Sequence, residues 1–205
     1  MVRVIGLTGG IGTGKSTVAA LLRRRGIVVL DADQFVRELQ QPGEEGLRRL
    51  VETFGDRILT PGGELDRPAL ARIAFSDAAA RATLEGILHP LVRERMAAAH
   101  AAAVAQGADV VVHEIPLLFE SRDPDEFDAT VLVYAPAEEQ VQRLIRSRGM
   151  SEADARARVA AQLPIEEKRR LATHVIDNTG SIEDLEASLG RVWRQVVDGG
   201  SGSRT

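Results

Sequence analysis

The segment GLTGGIGTGKST, from Gly6 to Thr17, constrains this chain more than any other. Before it stands the β-branched, apolar run VRVIGL; after it comes TVAALLRRR, whose apolar residues recur at helical spacing. The local order is therefore strand, tight loop, helix. Gly9, then Gly10 to Thr13, then Gly14-Lys15-Ser16 fit G-x-x-x-x-G-K-[ST] completely. Glycines permit positive φ and let successive N–H groups turn inward on an anion without Cβ atoms in the way. The helix that starts near Gly14 adds the positive end of its dipole and its unpaired N–H groups to the same cradle. In that setting Lys15 reaches the β- and γ-phosphates, and the Ser16 hydroxyl ligates Mg²⁺. A glycine-rich turn with Lys15 on a solvated face would explain some of the glycines, but not Lys-Ser in register at a strand-to-helix junction. The stretch is predicted to hold a nucleoside triphosphate.

Five apolar runs are strand candidates: VRVIGL, GIVVLD ending at Asp31, ADVVVHE ending at Glu114, ATVLVYA ending at Ala135, and THVIDN around Val175. Helical patterns lie between them, and such alternation predicts an α/β fold, a five-stranded parallel sheet with helices on both faces. Ligands of such sheets collect at the carboxyl ends of the strands, where Gly9, Asp33, Glu114 and Asn178 are expected. The gap between the second and third strands is longer than one crossover requires. It is expected to form a helical substrate-side insertion over 34–107, punctuated by Pro42-Gly43, by TPGGELD from Thr60 to Asp66, and by His89-Pro90. The core is then 1–33, 108–140 and 172–198, a single domain. A mobile lid is expected over about 141–163, two helices hinged at Gly149 with Ser151 as N-cap of the second. DGGSGSRT reads as a tail, with 199–205 outside the fold.

Several side chains carry candidate chemistry. Alternation along a continuing strand puts Asp31 and Asp33 on one side, so at least one of them could face the γ-phosphate. Aspartate is also a common helix N-cap, and Asp33 precedes QFVREL. Phosphoryl transfer to a hydroxyl needs a carboxylate that accepts the proton and aligns the acceptor, worth about 10²–10⁴-fold. Arg143, Arg146 and Arg148 stand at a spacing that presents at least the first two to one side. They are either a solvated face or a lid that closes over the triphosphate, stabilises charge and excludes water. Arg156 and Arg158 read as solvating the next helix. Glu114 is either a partner of Mg²⁺ waters or a satisfied strand-end acid. Pro116 to Phe119 is either core or an apolar loop suited to a hydrophobic part of a substrate. His89-Pro90 reads equally well as a helix start.

Composition narrows the function classes. A net charge of -4 gives no reason to expect a nucleic-acid partner. The absence of cysteine excludes disulfides and thiolate metal sites and is compatible with a cytoplasmic location. No secretory signal is read at the start, and no apolar run reaches transmembrane length, since MAAAHAAAVAQG is interrupted by His100, Gln106 and Gly107. A GTPase switch would carry N-K-x-D, which is missing, and VVVHE is a poor match to the paired acids of a mechanical ATPase. A kinase of small metabolites fits best.

With these pieces in place the chain resembles the dephospho-CoA kinase family from about Val2 to Trp193. The marks are GLTGGIGTGKSTVA, DAD at Asp31 to Asp33, LHPLV at Leu88 to Val92, PLLFE at Pro116 to Glu120, the arginine-rich lid followed by Gln162, and VIDNTG at Val175 to Gly180. The resemblance implies a P-loop kinase that uses ATP and Mg²⁺ to phosphorylate the 3′-hydroxyl on the ribose of dephospho-CoA. It implies Asp33 as base, Ser16 as Mg²⁺ ligand and Arg143 in the lid. Gly9, Gly10, Ile11, Gly12, Thr13, Gly14, Lys15, Ser16 and Thr17 would surround the nucleotide phosphates, with Asn178 near the adenine. Thr8, His89, Leu117, Leu118 and Phe119 would line the acceptor side. The expected state is a monomer or weak homo-oligomer, and the alternative is another small-metabolite kinase of this fold, for a nucleotide or a sugar. One departure stands out: relatives often have Ala-Asp before the last strand, where Ala172 is followed here by Thr173 and His174.

Overall fold

The structure, a computed structural model, describes residues 2–198; the tail expected over 199–205 lies outside them. Strand β1 (Arg3–Thr8) leads through the glycine loop into α1 (Lys15–Arg24), and β2 (Val28–Asp31) follows. Four helices come next: α2 (Ala32–Leu39), α3 (Glu45–Phe54), α4 (Arg67–Ser76) and α5 (Ala78–Ala105). The remainder runs β3 (Val110–Glu114), the short α6 (Leu118–Ser121), β4 (Ala129–Tyr134), α7 (Ala137–Arg148), α8 (Glu152–Ala160), α9 (Ile165–Leu171), β5 (His174–Asp177) and α10 (Ile182–Asp198). All five expected strands form.

The sheet has the order β2-β3-β1-β4-β5, with parallel pairing of β1 to β3, β1 to β4 and β4 to β5. Parallel strands need covering on both faces, and β4 (ATVLVY) is accordingly buried along its whole length. On one face Ile5, Leu7, Val112, Val131, Val133 and Ile176 pack against α1 and α10 through Val18, Leu22, Leu185 and Leu189. On the other face Leu132, Tyr134 and Val175 pack on Ile165 of α9, and Gly6 receives Leu118 of α6 and Phe127. Thr173, at the position where the sequence departs from the family pattern, bonds Thr130 of β4. Its hydroxyl donates to Thr130 O at 2.8 Å and accepts from Thr130 N at 2.8 Å, while its own N–H donates to Thr130 Oγ1 at 3.1 Å. The pair extends the β4–β5 ladder by one rung.

Chain contacts divide the molecule into two compact units, one of them Asp31–Ala102 and the other the rest. The 31–102 unit has its own core of Leu50, Phe54, Ile58, Leu70 and Leu88. TPGGELD forms the turn between α3 and α4, closed by an antiparallel bridge between Leu59 and Leu65. Two expectations fail here. The strand does not continue past Asp31, so Asp31 and Asp33 are not strand neighbours; Asp31 is the N-cap of α2 and accepts from Gln34 N at 3.1 Å, which leaves Asp33 in the first helical turn. His89-Pro90 does not start or punctuate a helix, because both residues lie inside the 28-residue α5. Proline forfeits one backbone hydrogen bond there, but helix formers such as Ala, Leu and Glu on either side carry the helix through. No helix among the described residues is long and apolar enough to cross a membrane.

Gly6 tests the packing between sheet and α6. A Cβ at this position would stand 2.5 Å from Leu118 Cδ1 and 3.2 Å from the Phe127 ring. Gly6→Ala is expected to destabilise the protein by about 1–3 kcal/mol through overpacking. Urea denaturation checks this, and a change below about 0.5 kcal/mol would mean that Leu118 repacks freely.

Candidate active site

The loop after β1 is shaped by backbone rather than by side chains. Gly14 sits at φ 88°, in the left-handed region that disfavours other residues, and serves as N-cap of α1 without any side-chain cap. Thr17 N donates to Gly14 O at 3.0 Å, while no side chain caps the N–H groups of Lys15 and Ser16 at the positive end of the helix. Gly9 allows a close approach: a Cβ there would stand 2.9 Å from Val133 O and 2.6 Å from Thr13 Oγ1. Within the loop Thr13 donates to Gly10 O from both its N–H, at 3.2 Å, and its hydroxyl, at 2.8 Å. Ser16 and Thr17 are exposed on the first turn of α1.

Lys15 is held to one side of this cradle. Its Nζ lies 2.6 Å from Glu114 Oε1, at the end of β3, and Arg23 Nη2 lies 3.5 Å from Glu114 Oε2. The Glu114 side chain is only 4% exposed, and these two cations pair its carboxylate. Of the two readings of Glu114, the structure supports the satisfied strand-end acid. The sequence reading missed its partners, since Lys15 and Arg23 lie in a different element, and only the parallel β1–β3 register brings them to it.

Arg143 and Asn178, expected from distant parts of the sequence, meet at the back of the loop. Asn178 Nδ2 donates to Thr13 O at 2.7 Å, Arg143 Nη2 donates to Asn178 O at 2.6 Å, and Arg143 Nη1 stands 3.4 Å from Thr13 O. Arg143 and Arg146 share Glu139 Oε1 at 3.0 Å each, which places both on one side of α7 as their spacing predicts. The helix boundary falls at the expected residues: Gly149 ends α7 at φ 62°, and Ser151 caps α8 by accepting from Asp154 N. Arg156 departs from its expected solvating role. It bonds Glu138 of α7 as well as Glu152, and this guanidinium, with help from Gln142, holds the Glu138 carboxyl below its ordinary range. The loop gains one more side-chain contact that the sequence did not reveal: Gln162 Oε1 accepts from Ile11 N at 2.8 Å.

The residues expected on the acceptor side belong to both compact units. Thr8 is buried and donates to Pro116 O at 3.2 Å. Leu117 is exposed, Phe119 is half-buried, and Leu118 is fully buried against Gly6, where it packs as core. Asp33, on the first turn of α2, and His89, on α5, are exposed residues of the 31–102 unit. A cavity of about 520 Å³ opens among α7, α8 and α9, with Gly10, Val141, Val159, Gln162 and Ile165 in its wall. No group of three or more His, Cys, Asp or Glu among the described residues is arranged to hold a metal ion. Ser16, whose hydroxyl is exposed at the helix start, suits Mg²⁺, which takes few protein ligands and fills its shell from water and phosphate.

Comparison with known proteins agrees with this geometry. The family model for dephospho-CoA kinase matches residues 3–184. A dephospho-CoA kinase of Mycolicibacterium paratuberculosis is 50% identical over 193 residues, which are 94% of this chain and 47% of that protein. The chain thus spans about half the length of that relative. A dephospho-CoA kinase of Streptomyces avermitilis is 47% identical over 94% of this chain and 93% of its own length. Among solved structures, a Thermus thermophilus protein superposes with a TM-score of 0.80 at 44% identity, covering 95% of this chain and 97% of that one.

Glu114→Gln separates the two influences on Lys15. Loss of the carboxylate charge leaves two cations facing a neutral amide, and a stability loss of about 1–3 kcal/mol is expected. Anion affinity should move the other way, with inorganic pyrophosphate binding about threefold or more tighter because a negative charge near the cradle is gone. Calorimetric titration checks this; weaker pyrophosphate binding would show instead that Glu114 aims Lys15 at the anion.

Proposed function

The chain belongs to the dephospho-CoA kinase family, and on that premise we propose that it transfers the γ-phosphate of ATP to the 3′-hydroxyl of the dephospho-CoA ribose, giving CoA and ADP. The observation that carries this reading is the uncapped start of α1 behind Gly14, with Lys15 and the exposed Ser16 on its first turn. Backbone N–H groups and a helix dipole bind the phosphates there. Lys15 leaves Glu114 for the β- and γ-oxygens. Ser16 would hold Mg²⁺, which when bound would supply charge neutralisation to the phosphates.

The remaining roles follow from chemistry. Asp33 is the base: its carboxylate sits on the first turn of α2, where the helix dipole favours the ionised form that accepts the proton of the 3′-hydroxyl. Arg143, already bonded to the loop through Thr13 O, supplies a fixed positive charge near the transferring group, and Asn178 beside it stands on the adenine side. Residues 141–163 act as a lid whose closure excludes water, which would otherwise compete as nucleophile. Leu117 and Phe119 offer apolar surface to the acceptor, with His89 from the 34–107 insertion, while Thr8 and Leu118 support that surface from below. On the same reading the protein works in the cytoplasm as a monomer or weak homo-oligomer.

The test is ADP release with Mg·ATP and dephospho-CoA, run beside AMP, CMP, gluconate and shikimate. Release with dephospho-CoA alone, and CoA as product, is expected; release with another acceptor alone would overturn the substrate. Asp33→Asn should lower kcat by about 10²-fold or more while the KM for ATP changes little, because a base acts chiefly in the transition state. Equal losses in ATP binding and turnover would make Asp33 a structural residue.

A further inference from the structure

Lys168 is among the largest fully buried side chains of the protein, with a relative exposure of 0%. A lysine in such a place is unusual, because its charge must be paired and an apolar residue of similar volume often serves stability as well or better. Its Nζ lies 2.7 Å from Glu120 Oε1, on α6, and 3.5 Å from Pro116 O. Both partners have further obligations. Pro116 O also accepts from the hydroxyl of Thr8, the last residue of β1 before the glycine loop. Glu120 Oε1 also accepts from Leu163 N at 3.1 Å. Leu163 follows Gln162, whose side chain holds Ile11 N of the loop.

These contacts close a ring. It runs from Thr8 through Pro116, Lys168, Glu120 and Leu163 to Gln162 and returns to the loop at Ile11, two residues beyond Gly9. The segment 161–164 in this ring is the connection by which α8 rejoins the sheet side of the fold, since α8 ends at Ala160 and α9 starts at Ile165. We infer that Lys168 is a positioning residue: its buried ammonium, paired with Glu120 at the surface, fixes the connection after α8 to the rim of the glycine loop, so that α8 and the Ile11 N–H are held in one geometry. Lys168 touches none of the reacting atoms. It acts through Gln162 on one arm and through Pro116 and Thr8 on the other, and displacements of about 1 Å at such a rim suffice to cost about 10²-fold in rate. The effect on turnover rests on the kinase reading above; the effect on the loop does not.

The experiment therefore has two readouts on Lys168→Met, which preserves length and removes charge, and on Glu120→Gln, which keeps an acceptor for Leu163 N and serves if the first variant folds poorly. Amide hydrogen exchange followed by ¹⁵N NMR should show the Ile11 N–H exchanging about tenfold or more faster than in the parent protein, with Val133 in β4 unchanged. Steady-state kinetics with dephospho-CoA should show kcat reduced about tenfold or more and the KM for ATP within about twofold. Exchange at Ile11 that is unchanged, or that rises only in step with Val133, overturns the inference and leaves Lys168 a plain core residue. If the parent protein turns over no dephospho-CoA, the kinase reading fails while the exchange result still decides the role of Lys168.

Discussion

Everything at the candidate site depends on a helix start that is left unsatisfied. A Ser, Thr, Asp or Asn cap would be worth about 0.5–2 kcal/mol at the N-terminus of α1. The chain instead places Gly14 there in a left-handed conformation with no side-chain cap. Those open N–H groups are a standing invitation to an anion, and the surrounding structure braces the loop that carries them. Val133 O and Thr13 press close to Gly9, Asn178 and Arg143 hold Thr13 O from behind, and Gln162 holds Ile11 N from the side. The loop is thus fixed by residues drawn from β4, α7, the end of α8 and the end of β5.

Charge is handled by the same economy of partners. Glu114 and Lys168 are both buried, and each is paired with an opposite charge and tied to the neighbourhood of the loop. Neither pair is needed to fill the core, whose apolar contacts between sheet, α1 and α10 are complete without them. Buried ion pairs add little net stability once desolvation is counted, whereas removal of one partner is costly. Their use here is geometric: one holds Lys15 beside the cradle, and the other fixes the chain that returns from α8. Arg156 adds a more exposed link between α7 and α8 through Glu138.

Much of this was legible in the sequence, for identifiable reasons. Runs of β-branched residues gave all five strands, since a strand covered on both faces has no other composition open to it. The glycine loop, the hinge at Gly149 and the Ser151 cap were legible because each depends on local chemistry. The failures came where one local signal competed with another. Asp31 and Asp33 share a side only if the strand continues, and VVLD gives no sign of where it stops; the cap at Asp31 decides it. Pro90 reads as punctuation, yet the long helix around it tolerates the lost hydrogen bond. Lys168 in EEKRR drew no reading from the sequence, although its spacing of three from the buried Ile165 puts it on the inward face. Glu114 and Gln162 find their partners only through the tertiary fold, which no local pattern encodes.

The most direct measurement is a ¹H–¹⁵N NMR titration of the protein with Mg·ADP. The expected result is that the amides from Gly12 to Thr17 shift most, together with the Lys15 ammonium as it leaves Glu114. Saturable binding with those amides unmoved, and the largest shifts elsewhere, would show that the glycine loop is not where the phosphates sit.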